Sequence, residues 1–151
     1  MIVAAETLSV AAPSALAPAS RGPILVDTSV WIEALRPQGA MACKQAVQSA
    51  LAANTAATCE IVIAEVLQGV ADGVEAGRLE QRLEGVVALR MDGVGSEAAR
   101  ISRALRDRGL AVKFGDLLIG AAASVNGAAL MHRDKHLSVI AQVAGVEEII
   151  L

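Results

Sequence analysis

Apolar and polar residues alternate in two rhythms along this chain, and one short apolar run organises the rest. Ile24, Leu25 and Val26 follow one another without a polar break, the pattern of a strand buried on both faces of a parallel sheet. Asp27 comes next, then Thr28 and Ser29, two good helix N-cap types, before the helical spacing of Val30, Trp31, Ala34 and Leu35. Arg36-Pro37-Gln38-Gly39 breaks this helix. A second helix is predicted over 40–53, with Met41, Val47, Ala50 and Leu51 on its apolar side, followed by a very short strand over 55–58. Cys59 to Gly69 reads as a strongly apolar helix with glycine as its C-cap. Beyond it come a polar helix over 73–84, a brief strand over 86–89 and an amphipathic helix over 95–108, whose Ala98, Ile101, Ala104 and Leu105 face inward.

After Phe114-Gly115 a helix opens at Asp116 and runs to Val125 on a face of small residues that can pack very close to a sheet. Ala128 to Met131 is a buried strand, a short helix ends at Ala141, and Val146 to Leu151 is the last strand. Strand and helix alternate throughout. That predicts an α/β layered fold with a mostly parallel central sheet. In such sheets ligands bind at the carboxyl ends of the strands, which makes Asp27 a site candidate at once.

Composition narrows the chemistry. The 151 residues suit one domain, and 54% are apolar, yet there is one Trp, one Phe and no Tyr. Base stacking on aromatic side chains, the usual device of single-strand-binding modules, has almost nothing to work with. A net charge of −3 gives no overall attraction to nucleic acid, so such binding needs a local basic patch or bridging cations. Cys43 and Cys59 form no CxxC and have no matching histidine pair; they read as free thiols in a reducing cytosol rather than as a zinc site or disulfide. Residues 1–22, rich in Ala, Ser and Pro, read as a mobile extension or an overcalled start, with a weak export signal as the alternative; the domain proper spans 23–151. No apolar run reaches the roughly 18 residues of a membrane span.

Four acids stand out from the 16 in the chain. Asp27 follows the ILV strand, Glu65 interrupts the apolar run around it, Asp116 opens the helix that continues LLIGAAA, and Asp134 follows the AALM strand by two residues. A carboxylate in such surroundings costs several kcal/mol unless it is paired or bound to a cation. Two of them about 5 Å apart repel by roughly 3 kcal/mol at an effective dielectric near 20. Lys113, Arg133 and Lys135 are too few to neutralise four acids at separate chain ends. Should the four converge, a hard divalent cation is the simplest compensation, because magnesium and manganese take oxygen ligands and water. Such a site suits phosphodiester cleavage. The plainer alternatives are a turn or cap role for Asp27, a helix cap for Asp116, an arginine-paired core carboxylate for Glu65 and a turn residue at Asp134. Thr28 and Ser29 read as caps rather than nucleophiles, Glu60 as first-turn helix charge, and His132 and His136 as surface or structural residues rather than ligands. Arg100, Arg103, Arg106 and Arg108 offer either an RNA-facing surface or a solvated helix face.

DTSVWI at 27–32, AEVLQG at 64–69, GDLLIGAAA at 115–123 and HRDKHL at 132–137 resemble, in order and spacing, the four signature blocks of PIN-domain ribonucleases. Within that superfamily the chain is most similar to VapC, the toxin half of VapBC toxin–antitoxin pairs, and the likeness covers nearly all of 23–151. The resemblance implies a three-layer PIN-like fold, with helices on both faces of the sheet. It also implies magnesium-dependent endoribonuclease activity, manganese being a possible substitute. Asp27, Glu65, Asp116 and Asp134 fall at the acidic positions, Asp27 and Asp116 at those most directly linked to the metal. Thr28 and Ser29 match hydroxyl positions beside the first aspartate, where they position ligands or water. Arg100, Arg103 and Arg133 are the RNA-contacting candidates. A homodimer, and inhibition by a VapB-type antitoxin whose tail covers the active groove, are implied as well, in the cytoplasm and without a membrane. One departure stands out: His136 occupies a position that is often acidic in relatives.

Competing classes fit less well. A phosphoryl-accepting receiver domain wants adjacent acids early and a lysine on a late strand. A haloacid-dehalogenase-type phosphatase wants a second aspartate where Ser29 stands. A catalytically weak PIN-like module that binds RNA or protein is the remaining alternative, and the intact set of four acids argues against it.

Overall fold

The protein's structure, a computed structural model, describes residues 22–151; the extension read over 1–22 lies, Gly22 apart, outside them. The elements run β1 (Ile24–Val26), α1 (Thr28–Leu35), α2 (Met41–Ala52), β2 (Ala56–Thr58), α3 (Glu60–Gln68), α4 (Gly73–Glu84), β3 (Val87–Ala88), α5 (Val94–Asp107), α6 (Phe114–Val125), β4 (Ala129–His132), α7 (Lys135–Ala144) and β5 (Glu148–Ile150). Every strand pairing is parallel, in the order β3-β2-β1-β4-β5. The expected alternation is present, with boundaries displaced by at most three residues and those of β1 and α4 not at all.

The strand β1 is central and fully buried because Ile24, Leu25 and Val26 must face helices on both sides. Connections between parallel strands are right-handed, so reversing the direction of travel across the sheet moves the helices to its other face. The chain passes from β1 outward to β2 and β3, then returns past β1 to β4 and β5. Helices α1 to α4 therefore cover one face and α5 to α7 the other, and within each set the helices pack on one another. The small-residue face of α6 (Gly120, Ala121, Ala122, Ala123) is wholly buried. Gly120 is required there: a Cβ would lie 2.2 Å from Ile140 Cγ2 of α7.

Several expectations need correcting. Asp27, not Thr28 or Ser29, caps α1, its side chain accepting from Ser29 N. Asp116 lies inside the first turn of α6, which opens two residues earlier with Lys113 as N-cap. Met41, the first residue of α2, is solvent-exposed, and Cys43 stands beside Val47 and Ala50 on the buried face of the helix, which packs mainly against α1. Both cysteines are buried free thiols. Burial raises the pKa of each above the ordinary thiol value. No helix among the described residues is long and apolar enough to cross a membrane.

Candidate active site

The topological switch lies between β1 and β4: the chain leaves β1 toward one edge of the sheet and leaves β4 toward the other. At such a point the connections diverge and open a crevice at the carboxyl ends of the strands. Asp27 is the first residue after β1, and its backbone N–H donates to Met131 O of β4 at 2.9 Å. Asp134 lies just beyond the end of β4 and caps α7, accepting from His136 N at 2.8 Å. These two acids arrive from the sheet.

The other two arrive from the two helical layers, which meet here. Glu65 is on α3 and Asp116 on α6, and these helices touch. Gly115 makes the approach possible, since a Cβ on it would stand 2.6 Å from Glu65 Oε1. Thr28 Oγ1 donates to Glu65 Oε2 at 2.5 Å, tying α3 to the start of α1. Ser29 donates twice to Asp27 Oδ2, from its backbone N at 3.0 Å and from its hydroxyl. Both of these bonds go to Oδ2 of the Asp27 carboxylate. Each of the two hydroxyl residues thus hydrogen-bonds one carboxylate, Thr28 that of Glu65 and Ser29 that of Asp27.

Electrostatically the negative charges of the cluster outweigh the positive groups near it. Among the described residues no arginine or lysine forms an ion pair with any of the four acids; the one such contact is His136 Nδ1 to Asp134 Oδ1 at 3.5 Å. Arg133 is spent elsewhere, 3.8 Å from Glu33 Oε2. Burial, then the negative charge of Asp134, raise the pKa of Asp116 above the usual carboxylate value; Lys113 opposes this and Asp27 and Glu65 add to it. Asp116 Oδ2 is buried without a hydrogen-bond partner. Such an orphaned acceptor normally demands an explanation, and an ion is one. Ligand atoms of Asp116, Asp134 and His136 lie within 4.8 Å of one another, a spacing that can hold a metal. Oxygen donors dominate the set, which fits a hard divalent cation.

Two features here were not foreseen. His132 is fully buried and bridges the last two strands of the sheet: its Nδ1 accepts the Asp134 N–H at 3.2 Å, so Nε2 carries the ring proton and donates to Glu148 Oε2 of β5 at 3.0 Å. The loop that carries Asp134 is thereby pinned to the sheet. Nothing in the sequence marked Glu148 as its partner, because that pairing depends on how β5 lies beside β4. The need for Gly115 was equally hidden, since it depends on where α3 packs.

Of the arginines assigned to RNA, Arg100 is engaged by Glu97 through two hydrogen bonds of 2.7 and 2.8 Å. That hydrogen bonding, against the carboxylate's own burial and helped by Ser124, holds Glu97 at about 2. Arg103 is exposed and carries no ion pair among the described residues, and Arg133 is partly exposed immediately before Asp134.

Replacing Gly115 with alanine tests the convergence of α3 and α6. The added methyl displaces the end of the Glu65 side chain while leaving α6 with a better helix former. We expect the melting temperature to stay within about 2 °C, because each kcal/mol moves it by about 2–4 °C in a chain of this size. Activity at the cluster should fall by about 10- to 100-fold, the effect of moving a group by about 1 Å. Thermal melts and initial rates on RNA check it.

A family model described as PIN domain matches residues 24–143. Ribonuclease VapC11 of Mycobacterium tuberculosis is 36% identical over 129 residues, covering 82% of this chain and 96% of that protein. Ribonuclease VapC18 of the same organism is 31% identical, covering 80% and 88%. Among solved structures, VapBC2 from Rickettsia felis bound to a promoter DNA fragment superposes with a TM-score of 0.68 at 17% identity, covering 85% of this chain and 98% of that one. FitAcB from Neisseria gonorrhoeae gives 0.65 at 23% identity, covering 83% and 96%. At those identities the structural matches speak for the fold.

Proposed function

The chain belongs to the PIN-domain family, and on that footing we propose that it is an endoribonuclease, the toxin half of a toxin–antitoxin pair, hydrolysing RNA phosphodiester bonds with magnesium. The observation that carries this reading is the meeting of four carboxylates from separate parts of the chain, none in an ion pair with an arginine or lysine among the described residues, with one buried oxygen left without a hydrogen bond. Curated relatives over 30% identical are named ribonucleases, and they support the substrate class.

Asp27 and Asp116 would hold the cation. When bound, it supplies positive charge to the phosphodiester oxygens and acidifies water. Ser29 keeps Asp27 in one rotamer, and Thr28 does the same for Glu65, so neither carboxylate must reorganise during the reaction. Glu65 and Asp134 complete the acidic shell, where a carboxylate can accept the proton of the attacking water. Arg103, exposed and without an ion pair among the described residues, would make phosphate contacts, with Arg133 and Arg100 as weaker candidates because Glu33 and Glu97 already engage them. A homodimer, capped by a VapB-type antitoxin over the groove and acting in the cytoplasm, completes the proposal; the neighbouring solved complexes support such a partner by analogy of fold.

The test is cleavage of a labelled RNA by the purified chain. We expect EDTA to abolish cleavage and added magnesium to restore it, with the melting temperature rising on magnesium addition. Equal rates in EDTA and magnesium would overturn the reading.

A further inference from the structure

We propose that His136 is a ligand of the cation bound by this chain, beside Asp116 and Asp134, and that its nitrogen shifts the site's preference from magnesium toward first-row transition ions such as Mn2+. The inference rests on the cation-dependent reading above and deepens it by naming which ions the site selects.

Three observations carry it. A ring nitrogen of His136 and carboxylate oxygens of Asp116 and Asp134 fall within 4.8 Å of one another. Ligands about 2.1 Å from an octahedral ion stand about 3 Å apart when adjacent and about 4.2 Å apart when opposite. The set is thus only slightly wider than a filled coordination shell. Secondly, Asp116 Oδ2 is buried and accepts no hydrogen bond from the described residues, so the carboxylate has an acceptor oxygen without a protein partner. Thirdly, the His136 ring is uncommitted: Nδ1 is 3.5 Å from Asp134 Oδ1, too long for a good hydrogen bond, and its side chain is about half exposed.

Local structure explains the bite. Asp134 caps α7 by accepting the backbone N–H of His136, so the first turn of that helix sets the ring beside the carboxylate. The other histidine flanking Asp134 is not available, because both His132 nitrogens are hydrogen-bonded, one to the Asp134 N–H and one to Glu148. Magnesium favours an all-oxygen octahedron, whereas imidazole suits transition ions. A site with one nitrogen ligand therefore loses less with Mn2+ than with Mg2+.

The experiment is Mn2+ binding to the full chain, followed by electron paramagnetic resonance, with pulsed measurement of coupling from nitrogen-14. Wild type should bind Mn2+ with a histidine nitrogen coupling. The His136→Asp and His136→Gln variants should bind Mn2+ without it. In competition, Mg2+ should displace Mn2+ from His136→Asp at a concentration at least about tenfold lower than from wild type. Mn2+ bound to wild type without nitrogen coupling, coupling that persists in both variants, or an unchanged competition ratio would overturn the role of His136 and leave the nuclease reading standing. No Mn2+ binding by wild type at all would overturn both.

Discussion

Asp27→Asn is expected to abolish RNA cleavage while the fold persists. Asparagine is as good an N-cap as aspartate, so α1 keeps its start and Ser29 keeps an acceptor. The two side chains have nearly the same volume, and at 5% exposure a change of volume would matter here. What changes is charge and polarity: one negative charge leaves the cluster, and an amide NH2, which donates and cannot ligate, replaces an oxygen. Loss of a cation ligand removes several kcal/mol of transition-state stabilisation. About 4 kcal/mol corresponds to about a thousandfold in rate. Initial rates on a fluorogenic RNA, beside a thermal melt of the same preparation, measure it. A rate within tenfold of wild type would show that Asp27 is not a ligand.

How far such a site can be read before folding depends on how local its determinants are. Asp27, Glu65, Asp116 and Asp134 could be singled out because each lies within or close to the end of an apolar run, and a carboxylate in an apolar context is costly wherever the run ends up. The parallel sheet was legible for the same reason, the unbroken ILV of β1 having no solvent face. Interactions between distant segments were not. That Thr28 would hold Glu65, thirty-seven residues on, depends on α3 packing beside α1. The clamp of His132 between the Asp134 loop and Glu148 needs the register of β5 against β4. Capping was misassigned because Asp, Thr and Ser are all good caps; the end of β1 at Val26, where Asp27 N–H still pairs with Met131, decided among them. Arg100 could not be told from a free cation, since Glu97 stands three residues before it on the same helix face, and a surface pair at that spacing forms or not according to context.

Asp116→Asn is expected to act in two opposite directions: cleavage should fall about as far as in the Asp27 variant, while the metal-free protein becomes more stable at neutral pH. The sign follows from the raised pKa of Asp116, which burial and then Asp134 produce. A group that holds its proton more tightly when folded than when unfolded makes the native state lose stability as pH rises. Below the ordinary aspartate value both states are protonated and nothing is lost. The loss develops between that value and the raised folded value, and it is complete above it. Above that raised value, wild type without metal carries the whole penalty. The asparagine variant carries none of it, and its amide can donate to neighbouring carboxylates. Each kcal/mol relieved raises the melting temperature by about 2–4 °C in a chain of this size. A saturating divalent cation reverses the order, because bound ligand stabilises only the protein that binds it. Melting curves of both proteins, with EDTA and with metal, from pH 3 to pH 8, should cross in this way. A variant no more stable than wild type in EDTA, or one that gains as much from the cation as wild type does, would mean that Asp116 faces neither the other three acids nor the ion.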